Sequence, residues 1–207
     1  MASYLHELFL LLFRNRSAAA ADVLRELDVE LPEYDDVRTE SSDLNDLRPA
    51  EYRADLVLFL MCETHKKLGV IVEVQLGRDE NKPYSWPAYV ANLRARHRCP
   101  VCLLVITMED SVAHWARKPI ELGPGTCCTP LVFVPSNAPM ITGLEEAERN
   151  VEFAVLSAIG SRKNTNTQLA AHVVSAAILA IAGIDAERWE MYSDLIITTL
   201  KQALENG

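Results

Sequence analysis

The sequence predicts an α/β fold: a central β-sheet flanked by helices, followed by an all-helical C-terminal extension. Three observations predict it. Residues 55–61 form a continuous apolar run of strand length, and Val70-Ile71-Val72 opens a second run that ends in Glu73-Val74-Gln75-Leu76. A helix-length segment separates this pair from another apolar strand at 101–107. From position 144 onward the apolar spacing is helical throughout. With 207 residues, 49% of them hydrophobic and 24% charged, the chain is an ordinary globular protein long enough to bury a sizeable core. The expected division is an α/β core over 1–143 and a helical extension over 144–207 packed on it.

In chain order, Ser3 is placed to cap a helix with Leu5, Leu8, Phe9 and Leu12 on one face, and Ser17 to cap a second running to Leu27. Residues 30–51 are acidic and turn-rich, with a short strand expected near Val37-Arg38-Thr39. The run 55–61, apolar enough for burial on both faces, is joined to the strand beginning at Val70 by the polar connection 63–69, which makes a hairpin in the sheet interior. Ser85 then caps a helix with Pro87 in its first turn, ending near Arg98. A strand at 101–107, a short helix at 110–117 with His114 and Trp115, and a last strand between Pro130 and Pro135 follow. Helices at 144–159, 167–182 and 186–204 complete the chain, punctuated by Gly160 and Gly183. His172, among Ala171, Val173 and Val174, reads as a core histidine.

The chemistry concentrates in the hairpin. Side chains alternate across a strand, so Glu73 and Gln75 share a face, and folding the hairpin back brings Asp55 level with them. Carboxylates meeting in an apolar sheet are costly unless a cation sits between them. A hard divalent ion suits this sparse oxygen set, because Mg²⁺ is held by one or two carboxylates plus waters and substrate phosphate. The competing reading makes Asp55 and Glu73 strand-end residues paired with arginines such as Arg53.

Asp55, a hairpin, then Glu73-Val74-Gln75 before a helix and another strand resembles the PD-(D/E)XK nuclease superfamily, with Ala54-Asp55 for Pro-Asp and an E-x-Q variant of Glu-x-Lys. The chain is most similar to the recombination-promoting nuclease and putative transposase group, through an opening segment His6-Glu7-Leu8-Phe9 as well. The resemblance implies a restriction-endonuclease-like mixed sheet and metal-dependent hydrolysis of DNA phosphodiesters, associated with mobile elements or recombination. It implies Mg²⁺ or Mn²⁺ on Asp55 and Glu73 near the Val74 carbonyl, with Gln75 at the usual lysine position holding the attacking water. A third acidic ligand is implied from an early helix; Glu7 is the best positional match, with Glu40 and Glu51 as rivals. Gln75 is the departure: a neutral amide orients water but cannot stabilise developing charge as a lysine does. Lys82 is a candidate replacement, against a competing reading as an exposed loop lysine.

A net charge of −9 argues against a general nucleic-acid binder. Arg94-Ala95-Arg96-His97-Arg98 is the one dense basic cluster; Arg94 and Arg98, four apart, can meet a phosphate backbone, or simply favour a helix C-terminus. Tyr84, Trp86 and Tyr89 either stack on bases or staple their helix to the sheet. The five cysteines have no disulfide pattern, and Cys99-Pro100-Val101-Cys102 leads into a strand, so reduced cysteines in a cytoplasmic protein are expected, with no membrane partner. Two other readings belong to different classes. One is a catalytically inactive nuclease fold kept as a binding module. The other is a homodimeric interaction protein that uses a last-helix stripe of Trp189, Tyr192, Leu195, Ile196 and Leu200.

Overall fold

The computed structural model describes residues 18–38 and 53–205, in two compact units. One unit comprises the described residues before position 53 together with Glu121–Cys127; the other comprises Arg53–Ile120 and the chain from Cys128 on, so it contains both the main sheet and the C-terminal helices.

In the first unit, α1 (Ala19–Glu26) starts from Ala18 without a side-chain cap. Its Arg25 holds Asp22 at 3.0 Å and donates to the Tyr34 hydroxyl at 2.7 Å. Val37 and Arg38 form no strand, and Thr39 lies outside the described residues. The Asp36 carboxylate accepts from the Val37 N–H at 2.8 Å and from Arg38 Nε at 2.9 Å, a local alternative to strand pairing. A two-stranded sheet that the sequence reading missed is built from β4 (Ile120–Gly123) and β5 (Thr126–Cys128), which a Pro124-Gly125 turn joins, with Gly125 at φ 74°.

The main sheet has four strands in the order β1-β2-β3-β6: β1 (Leu56–Cys62), β2 (His65–Val74), β3 (Val101–Ile106) and β6 (Leu131–Phe133). β1 and β2 are antiparallel while β2–β3 and β3–β6 are parallel, so the sheet is mixed. Two expectations are corrected here. The polar connection shrinks to Glu63-Thr64, because His65 and Lys66 pair with Cys62 and Met61. The hairpin is also not interior on both strands: among the described residues β1 is the edge strand, and of its residues only Phe59 is as much as half-buried. Continuous hydrophobicity does not distinguish such a strand from one paired on both sides.

Helix α2 (Lys82–His97) covers the face of the sheet that carries Ile71, Glu73, Leu103 and Val105. It begins three residues before the expected Ser85 cap, with Pro83 in the first turn and Pro87 inside. The Asp79 carbonyl and side chain organise this start, accepting from the N–H groups of Lys82 at 3.1 Å and Asn81 at 2.9 Å. Trp86 and Ala116 of α3 (Asp110–Ala116) complete this core, and the rings of Trp86 and Trp115 lie 5.5 Å apart.

The C-terminal helices enclose a second core of small and branched residues, including Ala158, Val173, Ala177, Ile181 and Ile196. The helix expected over 144–159 is two, α4 (Leu144–Arg149) and α5 (Val151–Gly160), broken at Asn150, whose side chain accepts from the Phe153 N–H at 3.1 Å. Asn166 caps α6 (Thr167–Ile181) in the same way. Gly160 is required by contact: a Cβ there would lie 2.0 Å from the Pro135 carbonyl oxygen. His172 is exposed on α6, so it is not a core histidine. The apolar stripe of α7 (Ala186–Glu205) divides: Ile196 is buried in this core with Tyr192 and Leu200 packed against it, while Trp189 and Leu195 stay exposed. No described helix is long and apolar enough to cross a membrane.

Candidate active site

Asp55 immediately precedes β1, and the pairing of Leu56 with Val72 sets it beside the end of β2. It is bound there from both sides. The Asp55 N–H donates to Glu73 Oε1 at 3.3 Å, and Asp55 Oδ2 accepts from the Val74 N–H at 2.8 Å. The register thus brings the two carboxylates together as the hairpin argument expects. Val74 enters this contact through its N–H.

Glu73 has no exposed surface. A buried carboxylate needs compensation, and α2 supplies it from its first two turns. Lys82 Nζ lies 2.6 Å from Glu73 Oε2, and Trp86 Nε1 donates to the same oxygen at 3.1 Å. Four residues apart on a helix, Lys82 and Trp86 face the same way, which makes one helical face a two-point clamp. The Lys82 side chain keeps 19% of its exposure, so the reading as an exposed loop lysine is overturned. Burial alone lowers the affinity of Lys82 for its proton, but the hydrogen bond and charge of Glu73, supported by Asp55, outweigh it and raise its pKa above the usual lysine value. The Lys82 ammonium also lies 5.9 Å from the centre of the Tyr89 ring.

Gln75 continues the alternation: its N–H donates to the Ile106 carbonyl at 2.9 Å, which holds it in strand geometry on the face of Glu73. It is 7% exposed, and its side-chain amide has no hydrogen-bond partner among the described residues.

The other sequence candidates separate from this site. Glu7, Glu40 and Glu51 lie outside the described residues. Among those described, no third histidine, cysteine or carboxylate joins Asp55 and Glu73. Arg94 and Arg98 are at the opposite end of α2 from Lys82, about 18 Å and about 24 Å away at the helical rise of 1.5 Å per residue. Of the aromatic cluster, Trp86 is the staple, Tyr84 is 83% exposed, and Tyr89 is half-buried. The residue the sequence reading undervalued is Trp86, whose indole N–H serves Glu73; its i,i+4 relation to Lys82 was the available signal.

The donor set fits a hard divalent ion. Among the described residues Asp55 Oδ1 accepts no hydrogen bond, Glu73 Oε1 has only the long contact from the Asp55 N–H, and both are carboxylate oxygens at one strand end. No family model matches the chain, and no curated protein or solved structure matches it either.

Proposed function

We propose that the chain is a metal-dependent nuclease that hydrolyses DNA phosphodiester bonds at Asp55, Glu73, Gln75 and Lys82. The observation that supports this most is the convergence, at one strand end, of two carboxylates and a lysine ammonium, with Gln75 next on the same strand face as Glu73. Asp55 and Glu73 would hold Mg²⁺ or Mn²⁺, which when bound lowers the pKa of a coordinated water and polarises the scissile phosphate.

The protein groups divide the remaining work. Gln75 accepts a hydrogen bond from the attacking water and orients it, since a neutral amide cannot take its proton. Lys82, which lies 2.6 Å from Glu73 Oε2, stabilises negative charge on the phosphoryl oxygens, one of the roles open to the lysine that Gln75 replaces. A helix-borne cation thus substitutes for a strand-borne one.

One observation favours the inactive binding module. Lys82 already neutralises Glu73, so the buried charge is balanced without a metal. Supercoiled-plasmid nicking with Mn²⁺, run beside Asp55→Ala and Glu73→Gln with calorimetric Mn²⁺ titration of each, separates the two. Metal-dependent nicking lost in both variants supports the nuclease; neither nicking nor Mn²⁺ binding in the wild type leaves the binding module.

A further inference from the structure

Far from the acidic end of β2, at the hairpin tip, the strand pairing is irregular. Leu60 pairs with Leu68 and Met61 with Lys66, so Lys67 is an extra residue, a β-bulge. The bulge has a definite effect on side-chain direction. Phe59 pairs with Gly69 and shares the α2 face with Ile71; two residues on, Met61 and its partner Lys66 share that face too. Lys67 reaches it by ordinary alternation from Gly69, so both lysines turn to the side on which α2 ends.

There they meet the basic end of the helix. Lys66 Nζ lies 2.7 Å from His97 Nδ1, and the His97 ring stands edge-on to Phe59 at 4.7 Å. An ammonium only donates, so Nδ1 accepts and the imidazole proton is on Nε2, directed away from Lys66. Arg94, Arg96 and Arg98 are exposed beside it. Arg98 closes the helix with φ 51°, its N–H on the Arg94 carbonyl at 2.8 Å.

Lys66, Lys67, Arg94, Arg96 and Arg98 make no ion pair with any described carboxylate, and Glu63 in the adjoining turn pairs with none of them. In the same unit Lys82, Arg149, Arg162, Lys163 and Arg188 each hold a carboxylate, while Arg78, Arg117, Lys118 and Lys201 pair with no described one, so the patch is marked by the clustering of its cations. The helix dipole accounts for cations in the last turn of α2, but not for two lysines delivered from a neighbouring strand. In a chain of net charge −9, five cations in one patch that no described carboxylate pairs, with a neutral imidazole as a sixth donor, fit an extended anion.

We propose that this end of the β2–α2 layer is a phosphate-backbone contact surface for duplex DNA, separate from the site of Asp55 and Glu73. It rests on reading the chain as one that acts on DNA, and it adds where the duplex is held. The length of α2, about 24 Å, corresponds to roughly seven base pairs at 3.4 Å each. One duplex can thus touch both ends, held at the patch while a phosphate enters the acidic site.

The test is fluorescence anisotropy of a labelled 30-base-pair duplex across a salt series in EDTA, so that no metal or cleavage is involved. The wild type is compared with Arg149→Ala, an exposed cation outside both sites, and with a variant combining Lys66→Ala, Lys67→Ala, Arg94→Ala, Arg96→Ala and Arg98→Gly; glycine tolerates the positive φ. The five-site variant is expected to bind at least tenfold more weakly at 50 mM salt, its log-affinity slope against log-salt flattened by about 4.5, near 0.9 per lost contact. Arg149→Ala is expected to bind as the wild type does. An unchanged slope in the five-site variant, no binding by the wild type, or binding of the wild type to phosphatidylserine vesicles but not to the duplex overturns the proposal. Plasmid nicking that persists while the slope is unchanged leaves the nuclease standing and removes the patch. Duplex binding lost in the five-site variant of a protein that binds no Mn²⁺ does the reverse.

Discussion

Lys82 Nζ lies 2.6 Å from Oε2 of Glu73, a carboxylate with no exposed surface, and the two residues come from different elements, the first turn of α2 and the last residues of β2. This ion pair ties the helix to the strand as well as setting the charge of the candidate site. Removing one partner should therefore cost more than removing both. Lys82→Met is expected to destabilise by about 2–4 kcal/mol, below the upper end for buried pairs because part of the lysine meets water. Lys82→Met with Glu73→Gln is expected to recover at least half of that loss in urea unfolding. A double-variant loss equal to the sum of the Lys82→Met and Glu73→Gln losses would show that the pair contributes no coupling.

The same pair gives an alkaline signature. The Lys82 pKa is raised on folding, so its contribution is fully present below the unfolded lysine value of 10.5 and is lost as pH rises through the higher folded value. The stability gap between wild type and Lys82→Met should be constant from pH 8 to 10 and should narrow only above that range. A gap that closes between pH 8 and 9.5 would contradict the assignment.

Trp86 adds a hydrogen bond that phenylalanine cannot make. Because Lys82 remains on the same oxygen, Trp86→Phe should cost about 1–2 kcal/mol beyond the change in ring packing. Trp115→Phe, which leaves Glu73 untouched, is the control; matching effects on Mn²⁺ affinity in the two variants would argue against a polar role for the indole.

At the other end of α2, His97 should titrate below the usual histidine value, first through desolvation and then through the charges of Lys66 and Arg96. Because folding depresses it, its contribution is present above 6.5 and is lost as pH falls through the folded value. Histidine NMR titration of the wild type and Lys66→Met should show the His97 pKa moving up in the variant. An unmoved resonance would mean that the Lys66 contact does not persist in solution.

Gly160→Ala tests the packing of the C-terminal helices. The added Cβ meets a backbone oxygen, which cannot rotate away, so the helix itself must shift. A loss of about 3 kcal/mol or more is expected in thermal or urea unfolding, against a few tenths for an alanine at the unobstructed Gly143. Comparable melting of the two variants would overturn the contact.

Much of this arrangement was legible in the residues. Strand alternation put Glu73 and Gln75 on one face, and hairpin closure brought Asp55 to them, because both follow from a period of two and an antiparallel return. The exposure of β1 was not legible: Leu56, Leu58 and Leu60 have the composition of an interior strand, and only the strand order shows that they lie at an edge. The clamp on Glu73 was half legible. Ser85 and Pro87 imitate a helix start, whereas the real one, organised by Asp79, lies three residues earlier and puts Lys82 in its first turn. The arginines of the patch are legible as a basic cluster, but the addition of Lys66 and Lys67 is not, because a bulge reverses the side on which every earlier residue of β2 is expected.

That single extra residue also separates two regimes within one strand. From Gly69 onward, β2 is registered by neighbours on both sides, whereas the residues before it answer to β1 alone. An insertion or deletion among residues 63–67 is absorbed at the tip and leaves the alignment of Glu73 with Asp55 intact. The distal half of the strand can thus change in length while the acidic half stays in register.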